Sequence, residues 1–347
     1  MKKVISGFVL IIMLAFGGCK PHSNREIVVF PTHQKATLSE ISIPDVLAMP
    51  QNIVILCDNI IIHDALTDWV FKVFSKENFE FKGNLIRRGR GPMEEVDVPY
   101  LFRSFGKDAF LFKGTNAIKV ANIQEDAGGL HLNIMNEFVL PAAMLSELDF
   151  FLLNNKLCSS ISIKSPEKDF RCFHFNTDSV FEWGEYIPVS KPALPPYQIF
   201  YLAKFTTVHP DGSRLAVVYQ NLPILRIYCT ESGKVLHQLY MADGSKNEEL
   251  LQRNLFESGF LTYYWKIKST GEYIYGLYRG AELSFEEGQI PDFASKIHIW
   301  KWDGTPVMSL ELNRPIFSFD ITPDNKQIIA LSIVDVEKLF VTEIPWN

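Results

Sequence analysis

The sequence lacks most of what catalysis and nucleic-acid binding need. It has no basic run, and its 34 lysines and arginines are outnumbered by 40 aspartates and glutamates, for a net charge of −6. Phosphate backbones require a basic face, so nucleic acid is excluded as the main partner. Cysteines number only 5 in 347 residues, and Cys57, Cys158, Cys172 and Cys229 show no metal-type spacing. The 8 histidines are scattered, with no helical i, i+4 pair of the kind that builds a zinc site. There is no Gly-x-Ser-x-Gly nucleophile elbow. Asp58, Asp64 and Asp68 lack the glycine and closing glutamate of a calcium loop and read as solvated strand-end side chains. Long amphipathic helical stretches are missing too, residues 246–256 being the one convincing helix. Disorder is also excluded, because 47% of residues are apolar and only 21% charged.

What is present begins with an address. Lys2 and Lys3 precede an apolar run from Val4 to Phe16, then Gly17-Gly18-Cys19. The run is too short for a spanning helix, which takes about 20 residues, and fits a secretory signal. Small residues directly before a cysteine suit lipoprotein cleavage, so residues 1–18 are expected to leave and Cys19 to carry the lipid. Residues 19–35 read as a tether and 36–347 as the folded unit. Acids are missing just after Cys19, which favours the periplasmic leaflet of the outer membrane over the cell surface. In an exported chain Cys158 and Cys172 can pair across a hairpin centred on Ser165-Pro166-Glu167. Four buried free thiols are the alternative.

The folded unit carries a repeat. Turn signals recur at Gln51, Lys107, Asn155, Asp211, Thr270 and Asp324, in steps of 56, 48, 56, 59 and 54 residues. Each precedes an apolar, β-branched or aromatic run, as in Leu215-Ala216-Val217-Val218-Tyr219. Further strands follow within each unit, joined by hairpin signals such as Glu231-Ser232-Gly233-Lys234 and Asp303-Gly304-Thr305. Four strands per unit, repeated six times, describe an all-β, six-bladed propeller with four-stranded antiparallel blades. The sixth unit stops one strand short. The ring is therefore expected to close with an N-terminal strand, from Glu26–Phe30 or from Ala36–Ile43.

Three stretches carry a resemblance. They are Tyr273-Ile274-Tyr275-Gly276-Leu277-Tyr278-Arg279-Gly280, then Ile299-Trp300-Lys301-Trp302-Asp303-Gly304-Thr305-Pro306-Val307, then Leu312-Asn313-Arg314-Pro315-Ile316-Phe317-Ser318-Phe319. Together they resemble the TolB-like six-bladed β-propeller family of Gram-negative lipoproteins. Gly89-Arg90-Gly91-Pro92-Met93-Glu94-Glu95 resembles that family's Gly-x-Gly-Pro-Gly-Glu element, with Met93 where the family prefers glycine. The resemblance implies the fold over residues 40–347 and implies no catalytic residue.

Gly89 and Gly91 permit positive φ and Pro92 stiffens the exit, which suits a crossing between blades, with Glu94 accepting backbone N–H groups. The glycines lack a Gly-Lys-Ser/Thr ending, so a phosphate loop is not expected. Trp300 and Trp302 share a strand face and read as core between blades, a stacking platform being the alternative. Two functions remain. One is a non-catalytic binding or scaffold lipoprotein of the envelope that recognises a protein, peptide or glycan and needs no cofactor. The alternative is a propeller hydrolase or lyase with a channel metal, for which the spacing nominates no ligand. Residues 190–201, 242–258 and 281–294 form long connections expected on one rim. Tyr197, Phe200 and Tyr201 are the candidate binding residues there. For the anchor, Cys19→Ser is expected to release the protein from membranes, and retention after high-salt washing would refute the assignment.

Overall fold

The computed structural model describes residues 25–44, 46–91, 94–96, 102–161, 168–185, 187, 203–250, 261–282, 294–332 and 335–346. They form six sheets that succeed one another along the chain, all of them antiparallel in their four-stranded cores. Blade one holds Pro50–Leu56, Asn59–Asp64, Trp69–Ser75 and Phe81–Arg88, and Glu94–Glu95 adds in parallel to its outer strand. Blade two holds Phe102–Phe105, Ala109–Lys113, Ala117–Asp126 and Gly129–Val139. Blade three holds Leu148–Leu153, Lys156–Ile161, Phe170–His174 and Ser179–Trp183. Blade four holds Lys204–Val208, Arg214–Tyr219, Ile224–Cys229 and Val235–Tyr240. Blade five holds Leu261–Ser269, Tyr273–Glu282, Ala294–Lys301 and Pro306–Ile316. Blade six holds Ser318–Ile321, Gln327–Leu331 and Lys338–Glu343.

Blade six takes its outer strand from the other end of the chain. Ser39–Ser42 pairs antiparallel with Lys338–Val341, so the second of the two expected donors closes the ring. The first donor lies elsewhere, since Ile27 bridges Tyr240 of blade four and the Val28 N–H donates to the Tyr240 carbonyl at 2.8 Å. Between them His33–Ala36 runs parallel to Ser309–Leu312 on blade five. The motif around Asn313 holds this segment. Asn313 Oδ1 accepts the Leu38 N–H at 2.9 Å, and Arg314 meets Glu40 at 2.6 Å.

Five of the six turn markers fall in the first hairpin of their blades. The exception is Gln51, which lies inside the inner strand of blade one. The real hairpin there is Cys57-Asp58, with Cys57 left-handed at φ 51°. It has neither glycine nor proline to announce it. The expected helix appears as Ser245–Leu250, its continuation falling outside the described residues.

Strands in the middle of a blade are sandwiched on both faces, which explains continuously buried runs such as Ile-Ile-Ile-His-Asp within Asn59–Asp64. Outer strands such as Val235–Tyr240 are half-exposed. Between blades one and two the Phe71 ring meets Phe102 at 4.8 Å and Phe112 at 5.5 Å. Trp300 and Trp302 are buried in the core between blades four and five. Gly276 makes room for this packing, because a Cβ there would lie 3.0 Å from both the Trp300 and Tyr264 rings. Cys158 stands opposite Cys172 in register, and the two are joined by a disulfide within blade three.

Blades three and four are joined by buried charge. Asp169 Oδ2 accepts from Tyr219 Oη at 2.7 Å, from Arg226 Nη1 at 3.0 Å and from the Tyr228 hydroxyl. Lys204 Nζ lies 3.7 Å from the other carboxylate oxygen and donates to the Asp169 carbonyl. Burial pushes the Lys204 ammonium down and both phenols well up. Removing one member of such a buried pair leaves the other charge uncompensated, at a cost of about 3–5 kcal/mol. Asp169→Asn should lose about that much in urea denaturation, and an unchanged midpoint would show that the cluster does not secure the interface. Deleting residues 25–44 should strip edges from three blades, visible as aggregation in light scattering. A monomer with an unaltered melting temperature would contradict ring closure by this segment.

Candidate binding site

The inner strands of the blades surround a central channel, and those of blades one to five present polar side chains to it. Blade one contributes Asn52, blade two Arg103, blade three Asp149, blade four Thr206 and blade five Lys266 and Lys268, and the buried Ser318 and Asp320 of blade six back Asn52 and Lys268. Asn52 Nδ2 donates to the Phe102 carbonyl at 2.7 Å and its Oδ1 accepts from Ser318 Oγ at 2.9 Å. Arg103 Nη1 donates to Thr206 Oγ1 at 2.8 Å and to its carbonyl at 3.1 Å. Arg103 Nη2 pairs with Asp149, which also accepts from Ser160 Oγ. Arg103 thereby links blades two, three and four.

On the opposite wall Lys268 Nζ donates to the Ile53 carbonyl at 2.7 Å and lies 3.7 Å from Asp320 Oδ2. Burial lowers the Lys268 ammonium and raises the Asp320 carboxyl. Lys266 has no hydrogen bond or ion pair among the described residues. Burial first, then the Lys268 charge, push its ammonium down to about 8. Asp149 is left-handed at φ 53°. Strain of this kind tends to persist where a side chain is held for function. Around these groups is a cavity of about 830 Å³ whose lining runs from Leu148 and Asp149 to the hairpin residues Gly106, Asn154 and Gly212. It extends between blades two and three, where Leu111, Asn136 and Phe138 line it. Among the described residues no three His, Cys, Asp or Glu side chains stand close enough to hold a metal ion.

One face of the ring is formed by the second hairpins and the connections between blades. Leu66, Trp69, Val96, Val139, Leu145 and Leu148 lie at strand ends or in loops on this face, and all six are exposed, Leu66 at 69% and Val139 at 71%. Asp64 fixes the part over blade one. It is fully buried rather than solvated as expected, and its carboxylate accepts the N–H groups of Ala48 at 2.7 Å, Leu66 at 3.0 Å and Thr67 at 3.2 Å.

Gly89, Gly91 and Glu94 lie between the outer strand of blade one and the inner strand of blade two. Glu94 Oε2 accepts the Gly91 N–H at 2.7 Å. Neither glycine has positive φ. Their smallness serves the carboxylate instead, since a Cβ on Gly89 would fall 1.9 Å from Glu94 Oε2. Pro92 and the sequence-nominated Tyr197, Phe200 and Tyr201 lie outside the described residues, as does Cys19. Trp183 and Lys204, the described strand ends on either side of residues 190–201, lie on the face just described. The channel residues Arg103, Asp149, Lys266 and Lys268 were not foreseen. The available signal was a charge inside an otherwise apolar inner strand, as in Phe-Arg-Ser-Phe, Leu-Asp-Phe-Phe and Trp-Lys-Ile-Lys.

Among curated proteins none matches the chain. Two solved structures share the fold at 12% identity. A member of the DUF4221 family from Bacteroides vulgatus matches with TM-score 0.53, over 88% of this chain and 97% of that one. A Bacteroides fragilis protein named for its expected export matches with TM-score 0.56, over 91% of this chain and 100% of that one. The profile of the family described as TolB-like 6-blade propeller-like matches residues 30–324. With six four-stranded blades, a ring closed by an N-terminal strand and a profile match over most of its length, the chain belongs to the TolB-like six-blade propeller family.

Proposed function

We propose that the protein is an exported lipoprotein, anchored through Cys19 in the periplasmic leaflet of the outer membrane, that binds a protein, peptide or glycan partner without catalysis. The observation that carries this reading is the exposure of Leu66, Trp69, Val96, Val139, Leu145 and Leu148 on one face of a rigid ring. Apolar side chains gathered on one face of a folded protein mark interaction surfaces. Loops held by a stiff scaffold are where recognition usually sits. Tyr197, Phe200 and Tyr201 belong to the same proposed surface, because the strand ends flanking their segment lie on that face. Export is supported by the Lys2-Lys3 to Cys19 pattern, by the Cys158–Cys172 bond, which suits an oxidising compartment, and by the Bacteroides fragilis relative.

The test is crosslinking in intact envelopes followed by quantitative mass spectrometry. Leu66→Asp with Val139→Asp, and separately Tyr197→Ala with Phe200→Ala, should each deplete the wild-type partner about tenfold, a loss of about 1.4 kcal/mol. An unchanged partner set, with native circular dichroism, would overturn the proposal.

A further inference from the structure

The channel suggests a second site, independent of the outer face. Its described ionic side chains are Arg103, Lys266 and Lys268 against Asp149 and, toward the hairpin end, Asp211, which is held by His209 and Ser213, while Asp320 stands behind Lys268. Arg103 is taken up by Asp149, and Lys268 by Asp320 and the Ile53 carbonyl. Lys266 is left without an ion pair or hydrogen bond among the described residues, its ammonium lying 5.9 Å from the centre of the Phe205 ring. Arg103 Nε is likewise buried without a hydrogen-bond partner. A charge drawn out of water without a partner is costly, and proteins retain one chiefly where a ligand will meet it. The lining also offers apolar surface, with Phe105, Phe138, Phe151, Phe205 and Val208 bordering the same space. Its volume of about 830 Å³ is in the range that takes a drug-sized molecule.

We propose that the central cavity binds a small organic carboxylate, its carboxylate held by the Lys266 ammonium and its apolar body lying against the phenylalanine walls. A single unpaired ammonium on a wall that also carries carboxylates matches a monoanion better than a phosphate dianion. The phenyl walls require a ligand with a hydrophobic body, which inorganic anions lack. Three charged groups act directly on Lys266, from blades two, three and five, and the Lys266 charge in turn helps lower the His63 imidazole of blade one. Lys268 on its own strand and Arg103 on blade two lower it, and Asp149 on blade three raises it. Asp320 on blade six reaches it only through Lys268. The ammonium loses its proton above about pH 8, so binding of an anion should weaken as pH rises through that value.

The test is isothermal titration calorimetry of the whole mature protein with 4-phenylbutyrate, its neutral amide and inorganic phosphate. Phenylbutyrate should bind at one site, with the amide and phosphate each weaker by about tenfold. Lys266→Met should weaken the acid by about tenfold and leave the amide unchanged, and Lys266→Arg should restore the acid. Raising the pH from about 7 to about 9.5 should weaken the acid alone, by about tenfold. Ser104→Trp, an exposed position on the cavity wall, should abolish binding of acid and amide together. No binding of the acid, equal binding of acid and amide, or an acid affinity unmoved by Lys266→Met would overturn the proposal. Phosphate binding as tight as the acid would overturn the carboxylate assignment. Acid binding that survives Ser104→Trp would overturn the channel as its site.

Discussion

Everything in this molecule depends on the pairing of Ser39–Ser42 with Lys338–Val341. Six blades packed side by side have two free flanks until one strand from the start of the chain completes the last blade. Closing the ring fixes the distance between opposite inner strands and thus the width of the channel. Short ionic contacts accompany the backbone pairing, with Glu40 meeting both Lys338 and Arg314 at 2.6 Å. The guanidinium of Arg314 also stacks over the Phe340 ring at 4.6 Å, joining blade five to blade six at the seam.

Two groups of buried charge serve different ends. At the blade three–four interface, Asp169 Oδ2 is saturated by two phenols and a guanidinium, and Lys204 is spent on the same residue. That cluster is inward-looking and has the character of a structural bolt. The channel group is unbalanced. Arg103, Asp149 and Thr206 satisfy one another in part, while Lys266 faces open volume. The distinction lies in whether the donors and acceptors balance, since both groups are buried and both are charged.

The fold was legible because hairpin chemistry and strand length recur with a near-constant period. The missing strand was legible for the same reason, as a shortfall in the last unit. What escaped was local. Cys57 makes a left-handed turn with no glycine to mark it, so the first repeat was read one strand too early. Asp64 looked like a surface carboxylate because nothing in its neighbourhood reveals that four backbone N–H groups converge on it. Gly89 was read as a demand for unusual φ when it answers the approach of the Glu94 carboxylate. The channel residues come one or two per blade and lie far apart in sequence, so their convergence is a property of the closed ring and of no single segment.

The N-terminal segment also bears on how the ring is made. Its contacts follow chain order: Ile27 on Tyr240, then His33–Ala36 on Ser309–Leu312, then Ser39–Ser42 on Lys338–Val341. Each docking site emerges after the one before it as the chain is extended. A direct closure would span roughly 300 residues in one step, an entropic cost that slows folding. Once Ile27 has seated on blade four, the next contact need span only one further blade, and the last only one more. The segment therefore divides one long loop closure into three shorter ones, taken in the order in which the chain is delivered.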